Sequence, residues 1–166
     1  PNRPPVITST ALTVINEDQL YSYIVTASDA DDDAITLSAS QLPSWLSFTS
    51  YTGALTGTPN NDEVGAYSVV ITATDASNSS VSQTFTITVS NVNDAPVISG
   101  TPATTVAQGT NYSFTPSAAD PDSGTNFTFS IANKPTWASF NTETGNLTGT
   151  PGANDVGTSS NVIITV

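Results

Sequence analysis

The chain has 166 residues, of which 14 are acidic and two are basic, so its formal net charge is −12 at pH 7. This balance excludes a nucleic-acid-binding surface, because too few Lys and Arg side chains are present to displace phosphate counterions. The chain has no cysteine, and no apolar run approaches the roughly 18 residues of a spanning helix. Neither disulfides nor membrane insertion are therefore expected. The acidic composition suits a soluble secreted module, and it equally suits a protein whose charge divalent cations neutralise.

Few residues of this chain could perform catalysis. It has no His or Cys, and Arg3 and Lys134 are its only cationic residues, so nucleophile–base pairs, thiolate chemistry and common zinc sites are absent. Paired carboxylates remain, as in glycoside hydrolysis. The acidic residues gather in predicted loops, where cation binding is the simpler explanation. The sequence therefore predicts a protein that is not an enzyme.

An internal repeat organises the sequence. The run LPSWLSFTSYTGALTGTP returns 92 residues later as KPTWASFNTETGNLTGTP. The segment NRPPVI returns 91 residues later as NDAPVI, and the Asp-x-Asp pair that begins at Asp29 returns at Asp120. This recurrence predicts two domains, residues 1–92 and residues 93–166.

Between these landmarks, apolar and polar residues alternate in short segments. In the first unit such segments begin at Tyr21, Ile35, Tyr67 and Phe85. Alternation of this kind indicates strands with one buried face, and Gly, Pro and Asn residues mark turns between them. No window shows the 3.6-residue apolar stripe of a helix. About seven short strands in about 90 residues predict an all-β fold of two tandem Greek-key β-sandwiches.

The second unit ends earlier in the repeat than the first. Its last strand, which ends at Val166, corresponds to residues 67–74, and no later segment matches residues 80–89. A sandwich that lacks its final strand leaves a ladder edge unpaired. We therefore expect this unit to be completed from outside in the parent protein, or to swap a strand with a second copy as a homodimer. Because the chain opens at Pro1, we also expect it to be a segment of a longer protein.

Four motifs, LPSWLSF, TGALTGTP, VGAYSVVITATD and NVNDAPV, resemble two related kinds of repeat. These are the dystroglycan-type cadherin-like repeats and the Ig-like He_PIG repeats of bacterial adhesins and secreted surface proteins. The resemblance covers the first unit and the second up to its last strand. It implies a cadherin-like or Ig-like sandwich in an extracellular, cell-surface protein. The family serves as spacer, adhesive and sugar-binding modules alike, so the fold does not choose among them.

The same resemblance implies a set of Ca²⁺ ligands. Cadherins join successive domains with an Asx-rich linker, an early Glu, an Asp-x-Asp pair and an Asp that ends a later strand. The LDRE-like motif of cadherins has no match here, so the resemblance does not extend to their multi-ion cluster. The matching positions in this chain are Glu17, Asp29, Asp31, Asp75, Asn91, Asn93, Asp94, Asp120 and Asp122.

These residue types suit calcium, which takes six to eight oxygen ligands from carboxylates, amides, backbone carbonyls and water. An Asp-x-Asp loop can place two carboxylates on one side of the backbone, and the Asn-x-Asn-Asp segment from Asn91 supplies further oxygens. The alternative interpretation of the acidic run from Asp29 to Asp33 is a solvated turn, because Asp is common in turns. The recurrence of the pair, together with the linker, favours calcium at the junction of the two domains.

Aromatic residues offer a second candidate feature. Trp45 and Trp137 occupy the same place in both units, which favours a role in core packing over a sugar-stacking platform. Tyr51 differs, because its counterpart is Glu143 and no shared structural role requires an aromatic residue there. Tyr51 is therefore a candidate for a surface contact.

These observations predict a calcium-rigidified structural or adhesive repeat of a large extracellular bacterial surface protein. The expected partners are neighbouring repeats of the same chain and a cell-surface polysaccharide or protein ligand. The alternative is a calcium-dependent carbohydrate-binding module of a secreted protein.

Overall fold

The computed structural model describes residues 1–122 and 124–166. The chain forms two compact units, Pro1–Val92 (unit 1) and Asn93–Val166 (unit 2). The described residues form β-strands and two 3-10 helices of three residues each. The prediction of an all-β fold is therefore confirmed. No helix in the described part of the chain is long and apolar enough to cross a membrane.

Unit 1 contains nine strands arranged as a sandwich. They are β1 (Val6–Ile7), β2 (Val14–Asn16), β3 (Tyr21–Ile24), β4 (Ala27–Ser28), β5 (Thr36–Gln41), β6 (Leu46–Thr49), β7 (Ala54–Gly57), β8 (Gly65–Thr74) and β9 (Ser80–Ser90). One sheet has the order β2-β9-β8-β5, a second has the order β3-β7-β6, and β1 pairs with β4. All of these pairings are antiparallel except that of β2 with β9, which is parallel.

The core of unit 1 follows from the alternation in its sequence. Along β8, Val69, Ile71 and Ala73 have no exposed surface, while the residues between them are only partly covered. Both sheets contribute to one buried cluster, so burial of apolar surface holds them together. Its buried members are Tyr21, Tyr23, Val25, Leu46, Leu55, Val69, Ile71 and Ile87.

Unit 2 contains seven strands that repeat part of this arrangement. They are β10 (Val97–Ser99), β11 (Tyr112–Phe114), β12 (Ser117–Ala119), β13 (Ser130–Ala132), β14 (Ala138–Phe140), β15 (Leu147–Gly149) and β16 (Ile163–Thr165). The pairings are β10 with β12, β11-β15-β14, and β13 with β16. In unit 1, β8 lies between β5 and β9, whereas β16 pairs only with β13 among the described residues.

The two tryptophans have structural roles. The Tyr21 hydroxyl donates to the Leu12 carbonyl at 2.8 Å, and the Tyr21 ring meets the edge of Trp45 with ring centroids 6.0 Å apart. In unit 2 the Tyr112 ring meets Trp137 at the same centroid distance of 6.0 Å and the same interplanar angle of 80°. Edge-to-face pairs stabilise a core beyond their buried area. The prediction that both tryptophans serve packing is confirmed.

The repeated Thr-Gly-Thr-Pro run owes its glycine to a close backbone approach. A Cβ atom added at Gly57 would lie 2.1 Å from the carbonyl oxygen of Trp45. In unit 2, a Cβ atom at Gly149 would lie 2.5 Å from the carbonyl oxygen of Trp137. Only glycine leaves room for two neighbouring strands to approach this closely.

Candidate metal-binding residues

The first acidic loop of unit 1 follows β4. The backbone N–H of Asp31 donates to Oδ1 of Asp29 at 2.7 Å, which is an Asx turn of the kind that Asp residues form locally. Asp32 lies in the left-handed region, with a φ of 59°. The turn holds the Asp29 and Asp31 carboxylates at one end of the unit.

Arg3 binds this loop. Its backbone N–H donates to Oδ2 of Asp31 at 2.7 Å, and its Nε donates to Oδ1 at 3.1 Å. The Nη2 atom of Arg3 also lies 2.9 Å from Oδ1 of Asp31, with the Arg3 side chain 65% exposed and that of Asp31 26% exposed. One of the two cationic side chains of the protein is therefore committed to neutralising a predicted calcium ligand.

Asp75 lies directly after β8 and is buried. Its Oδ2 accepts a hydrogen bond from the Asn2 amide at 2.8 Å, and its Oδ1 accepts from the backbone N–H groups of Ser77 and Ser79. These bonds, first among them the one from Asn2, lower the pKa of Asp75 below its ordinary value because they favour the charged carboxylate. The structure thus holds Asp75 as an anion next to the start of the chain.

Asp33 shows that these acids lie near one another. Burial raises the pKa of Asp33, and the negative charges of Asp29, Asp75 and Asp31 raise it further. Like charges disfavour further ionisation only at short range. Asp29, Asp31 and Asp75 therefore lie close enough to Asp33 for their charges to act on it, and these four residues are called the acidic cluster below.

Glu17 lies at a different place in unit 1, immediately after β2. It is only 1% exposed, and its Oε1 accepts a hydrogen bond from the backbone N–H of Val92 at 2.6 Å. Its Oε2 is buried and has no hydrogen-bond partner. The predicted ligand Asn91 precedes Val92 and is exposed. A buried carboxylate oxygen without a partner is costly unless a proton or a cation accompanies it.

The acidic loop of unit 2 repeats the geometry of the first. The backbone N–H of Asp122 donates to Oδ1 of Asp120 at 2.7 Å, and the backbone N–H of Asp94 donates to Oδ2 of Asp122 at 2.7 Å. The Asn93 amide donates to the Asp94 carbonyl at 2.7 Å. Asp94 occupies the position that Arg3 has in unit 1, so a carboxylate replaces a guanidinium at an otherwise equivalent loop.

Three predicted ligands carry a buried carboxylate oxygen without a hydrogen-bond partner. They are Oε2 of Glu17, Oδ2 of Asp29 and Oδ1 of Asp122. Since buried polar atoms are nearly always paired in folded proteins, these oxygens fit a cation. Among the described residues, however, no three His, Cys, Asp or Glu side chains converge as a metal-binding group. A calcium ion would therefore also need carbonyl, amide and water oxygens, which it readily takes.

Three residues close to the predicted ligands, Asn2, Arg3 and Asp33, were not themselves among the predicted ligands, although the segment from Asn2 to Pro5 was expected as the remaining part of an upstream linker. Asn2 and Arg3 belong to NRPPVI, the segment that matches NDAPVI in the second unit. When these two segments are aligned, Arg3 corresponds to Asp94. This alignment reveals that a positive side chain in unit 1 is replaced by a negative one in unit 2. Asp33 belongs to an acidic run that also suits a solvated turn, so only the fold distinguishes it.

Two β-sandwich units with the same acidic loop at the same place define a protein built from tandem Ig-like repeats. The family model He_PIG, described as "Putative Ig domain", matches residues 4–90 and again residues 95–166. The chain therefore belongs to this family, and it carries two copies of its domain.

One curated relative is the serine-rich adhesin for platelets of Staphylococcus aureus strain MRSA252. It is 27% identical over 164 residues, which cover 98% of this chain and 12% of the adhesin. The adhesin from strain MSSA476 is also 27% identical, and the match covers 7% of it. The chain thus spans a small part of the length of the curated relatives it matches.

Two solved structures of cadherin domains share the fold. Human protocadherin-24 EC1-2 (form II) matches with a TM-score of 0.59 and 17% identity, covering 99% of this chain and 95% of that one. Drosophila N-cadherin EC1-4 matches with a TM-score of 0.60 and 21% identity, covering 99% and 45%. At these identities the likeness concerns the fold.

Proposed function

We propose that this chain is a calcium-rigidified structural or adhesive part of a large extracellular bacterial surface protein. Membership of an Ig-like repeat family and similarity to a staphylococcal adhesin support an adhesive or extending role. The absence of His and Cys from the sequence supports a module that is not an enzyme. In this role its partners are neighbouring repeats of the parent chain and a ligand on a cell surface.

The observation that carries the calcium proposal is the set of buried, unpartnered oxygens on Glu17, Asp29 and Asp122. In unit 1 the proposed ligands are Glu17 with Asn91, and Asp29, Asp31 and Asp75. In unit 2 they are Asn93, Asp94, Asp120 and Asp122. Bound Ca²⁺ would supply positive charge that offsets carboxylate repulsion, and it would coordinate the oxygens that have no hydrogen-bond donor.

Ion binding would stabilise the folded protein by linkage. At a calcium concentration 100 times the dissociation constant, each site contributes about 2.7 kcal/mol to the free energy of unfolding. It would also order residues 91–96, which carry three of the proposed ligands. A chain of repeats with ordered connecting segments extends a distal domain away from the cell, whereas one with loose segments does not.

The test compares melting temperatures in calcium and in chelator for three single variants. Glu17→Gln and Asp122→Asn keep the side-chain shape but remove a proposed ligand charge, and Asp62→Asn is the control for loss of an exposed charge. We expect calcium to raise the melting temperature of the parent chain and of Asp62→Asn, and to raise those of Glu17→Gln and Asp122→Asn less. Equal melting temperatures of the parent chain in both solutions would refute the proposal.

Limited proteolysis gives an independent readout. We expect cleavage within residues 91–96 in chelator and protection of that segment in calcium, because ordered backbone resists proteases. Magnesium at the same concentration is the control ion, since it tolerates only near-octahedral coordination. Identical cleavage rates in calcium, magnesium and chelator would contradict calcium-dependent ordering.

A calcium-dependent carbohydrate-binding module is the second candidate. The observation that favours it is Tyr51, which is 96% exposed in a position that unit 2 fills with Glu143. An exposed aromatic face can stack on the apolar face of a sugar ring. Retention on insoluble polysaccharide in calcium, lost in chelator and in Tyr51→Ser, would establish this function. No retention on any matrix, with calcium still raising the melting temperature, would favour the structural role.

A further inference from the structure

The two Asp-x-Asp loops, residues 29–31 and residues 120–122, differ in what contacts one oxygen of their second aspartate. In both units a backbone N–H donates to Oδ2 of this aspartate at 2.7 Å, from Arg3 to Asp31 and from Asp94 to Asp122. Oδ1 of Asp31 also contacts the Arg3 side chain, with Nη2 at 2.9 Å and Nε at 3.1 Å. Oδ1 of Asp122 is buried and has no hydrogen-bond partner. The same oxygen therefore has a cationic partner in unit 1 and no hydrogen-bond partner in unit 2.

The backbone around this oxygen is the same in both units. Each Asx turn is closed by a hydrogen bond of 2.7 Å from the N–H of the second aspartate to Oδ1 of the first. Arg3 and Asp94 occupy matching positions of the repeated segments NRPPVI and NDAPVI. Because the turn and the adjoining segment keep the same hydrogen bonds, the difference at Oδ1 comes from the side chain at this one position, a guanidinium group in unit 1 and a carboxylate in unit 2.

Asn2 holds the segment that carries Arg3. The Asn2 amide donates to Oδ2 of Asp75 and to Oγ of Ser79, both at 2.8 Å. The next residue, Arg3, is itself bonded through its backbone N–H to Asp31. Since the backbone is already fixed by these bonds, the guanidinium group loses little further freedom when it pairs with the carboxylate.

The loop of unit 1 consequently has few carboxylate oxygens left for a metal ion. Both oxygens of Asp75 accept hydrogen bonds, and both oxygens of Asp31 accept from Arg3. Oδ2 of Asp29 is buried without a hydrogen-bond partner. Calcium takes six to eight oxygen ligands, so an ion at this loop could begin from Asp29 but would have to displace the guanidinium group to use Oδ1 of Asp31.

We propose that Arg3 determines how strongly the loop of unit 1 binds calcium, because its guanidinium group competes with the ion for the Asp31 carboxylate. This inference rests on the proposed calcium-binding function. The loop of unit 2 has the negative side chain of Asp94 at the matching position, which favours a cation. As the calcium concentration rises, the loop of unit 2 therefore fills first and the loop of unit 1 fills at a higher concentration. The chain responds to calcium in two steps.

The size of the difference follows from the charges. Replacing a carboxylate by a guanidinium group changes the charge beside the ion by two units, and Coulomb interactions at about 4–6 Å remain appreciable even in water. The Arg3 side chain is 65% exposed, so solvent weakens its effect. Its contacts of 2.9 and 3.1 Å with Oδ1 are nevertheless far shorter than the Debye length of about 8 Å at physiological ionic strength. We expect the dissociation constants of the two loops to differ by about tenfold or more, which corresponds to about 1.4 kcal/mol.

A calcium titration of the whole chain, followed by NMR at constant ionic strength, tests the proposal. The backbone amide signals of Asp31 and Asp122 report the two loops separately. Arg3→Asp should lower the dissociation constant of the unit 1 loop by about tenfold or more. Arg3→Gln should lower it less, because a neutral side chain removes the competition without adding a negative charge. The Nε–H signal of Arg3 should shift at the calcium concentration that fills the unit 1 loop.

Asp94→Arg is the reciprocal variant, and it should raise the dissociation constant of the unit 2 loop by about tenfold or more. Asp94→Asn should raise it less, because it removes the negative charge without introducing a competing cation. Each variant contains its own control, because the loop in the other unit experiences the same change in net charge but keeps its own neighbouring side chain. The dissociation constant of that other loop should stay unchanged.

Two kinds of failure can be told apart. Equal dissociation constants of the two loops in the parent chain, or a unit 1 loop that Arg3→Asp leaves unchanged, would overturn the role of Arg3 while calcium binding itself stands. An Arg3 Nε–H signal that stays constant while the Asp31 amide titrates would also overturn it, since the ion would then bind without displacing the guanidinium group. If neither loop responds to calcium in the parent chain or in any variant, the proposed calcium-binding function fails as well.

Discussion

Arg3 and Asp31 form an ion pair in unit 1: Nη2 and Nε of Arg3 lie 2.9 and 3.1 Å from Oδ1 of Asp31, and the backbone N–H of Arg3 donates to Oδ2 at 2.7 Å. The equivalent position in unit 2 is Asp94, whose backbone N–H makes the same bond to Asp122. The two loops therefore share a backbone arrangement but differ by two charges at one residue. Unit 1 carries a cationic side chain at the place where unit 2 has a carboxylate.

The first prediction tests this difference by replacing Arg3 with glutamine. Without calcium, Arg3→Gln should lower the free energy of unfolding by about 0.5 kcal/mol, the usual worth of an exposed ion pair. With calcium, the variant should regain this loss, because the ion can approach Asp31 without competition from the guanidinium group. The measurement is the melting temperature of unit 1 in calcium and in chelator. Lys134→Gln is the matched control for loss of a positive charge. If calcium does not reduce the stability loss of Arg3→Gln, the prediction is wrong.

Asp33 provides the second prediction, because it is the member of the acidic cluster whose pKa is raised. Above its folded-state pKa the charged form of Asp33 opposes folding, and this opposition disappears as pH falls through that pKa. Asp33→Asn should therefore raise the melting temperature at pH 7 in chelator, by a few degrees at most. Asp62→Asn, which removes an exposed charge in the 3-10 helix Asn61–Glu63, should have no comparable effect. A lower melting temperature of Asp33→Asn in chelator would count against mutual repulsion in the cluster.

The third prediction concerns acid unfolding and the bond between Asn2 and Asp75. The pKa of Asp75 is lowered in the folded protein, so its contribution to stability is present above its unfolded-state pKa and is lost as pH falls through its folded-state pKa. Asn2→Ala removes the largest cause of that shift and should raise the pKa of Asp75. Carboxyl titration by NMR measures this pKa, and the acid-unfolding midpoint should move to higher pH. Unchanged values for both quantities would show that the Asn2 bond is unimportant.

A fourth prediction follows from the close approach at Gly57. Gly57→Ala should lower the free energy of unfolding of unit 1 by about 2 kcal/mol or more, because the new Cβ atom would overlap the Trp45 carbonyl and force the strands apart. Gly152→Ala is the matched control, since a Cβ atom there meets its nearest neighbour, Oδ2 of Asp155, at an ordinary 3.5 Å. Denaturant unfolding monitored by tryptophan fluorescence measures both. Equal stability of the two variants would contradict the steric argument.

Much of the fold could be predicted because the same motifs occur in both halves of the sequence. Alternation through residues 67–73 predicted the inward face of β8, and the repeated Trp45 and Trp137 predicted a packing role. The parallel pairing of β2 with β9 could not be predicted, because a strand of three residues has too little alternation to indicate a partner. One extra residue precedes β16 compared with β8. It lies in a segment of Ser, Thr and Asn, where the two repeats share no pattern that would locate the insertion in an alignment.

The candidate site was predictable to a smaller extent. Resemblance to cadherin linkers indicated Glu17, Asp29 and Asp122, and these residues carry the buried unpartnered oxygens. The segment from Asn2 to Pro5 matches the linker at Asn93 and was therefore expected near Asp29, Asp31 and Asp75, but no motif indicated the ion pair between Arg3 and Asp31. Ion binding by Asp120 and Asn93 stays a prediction.

The parallel pairing of β2 with β9 has a mechanical consequence. When tension pulls unit 1 apart from its two ends, Val14–Asn16 and Thr88–Ser90 are drawn in opposite directions along their shared axis. Their hydrogen bonds are then loaded in shear and must break together, instead of opening one after another as in a peeled hairpin. A domain connected in this way resists stretching under flow or adhesion load.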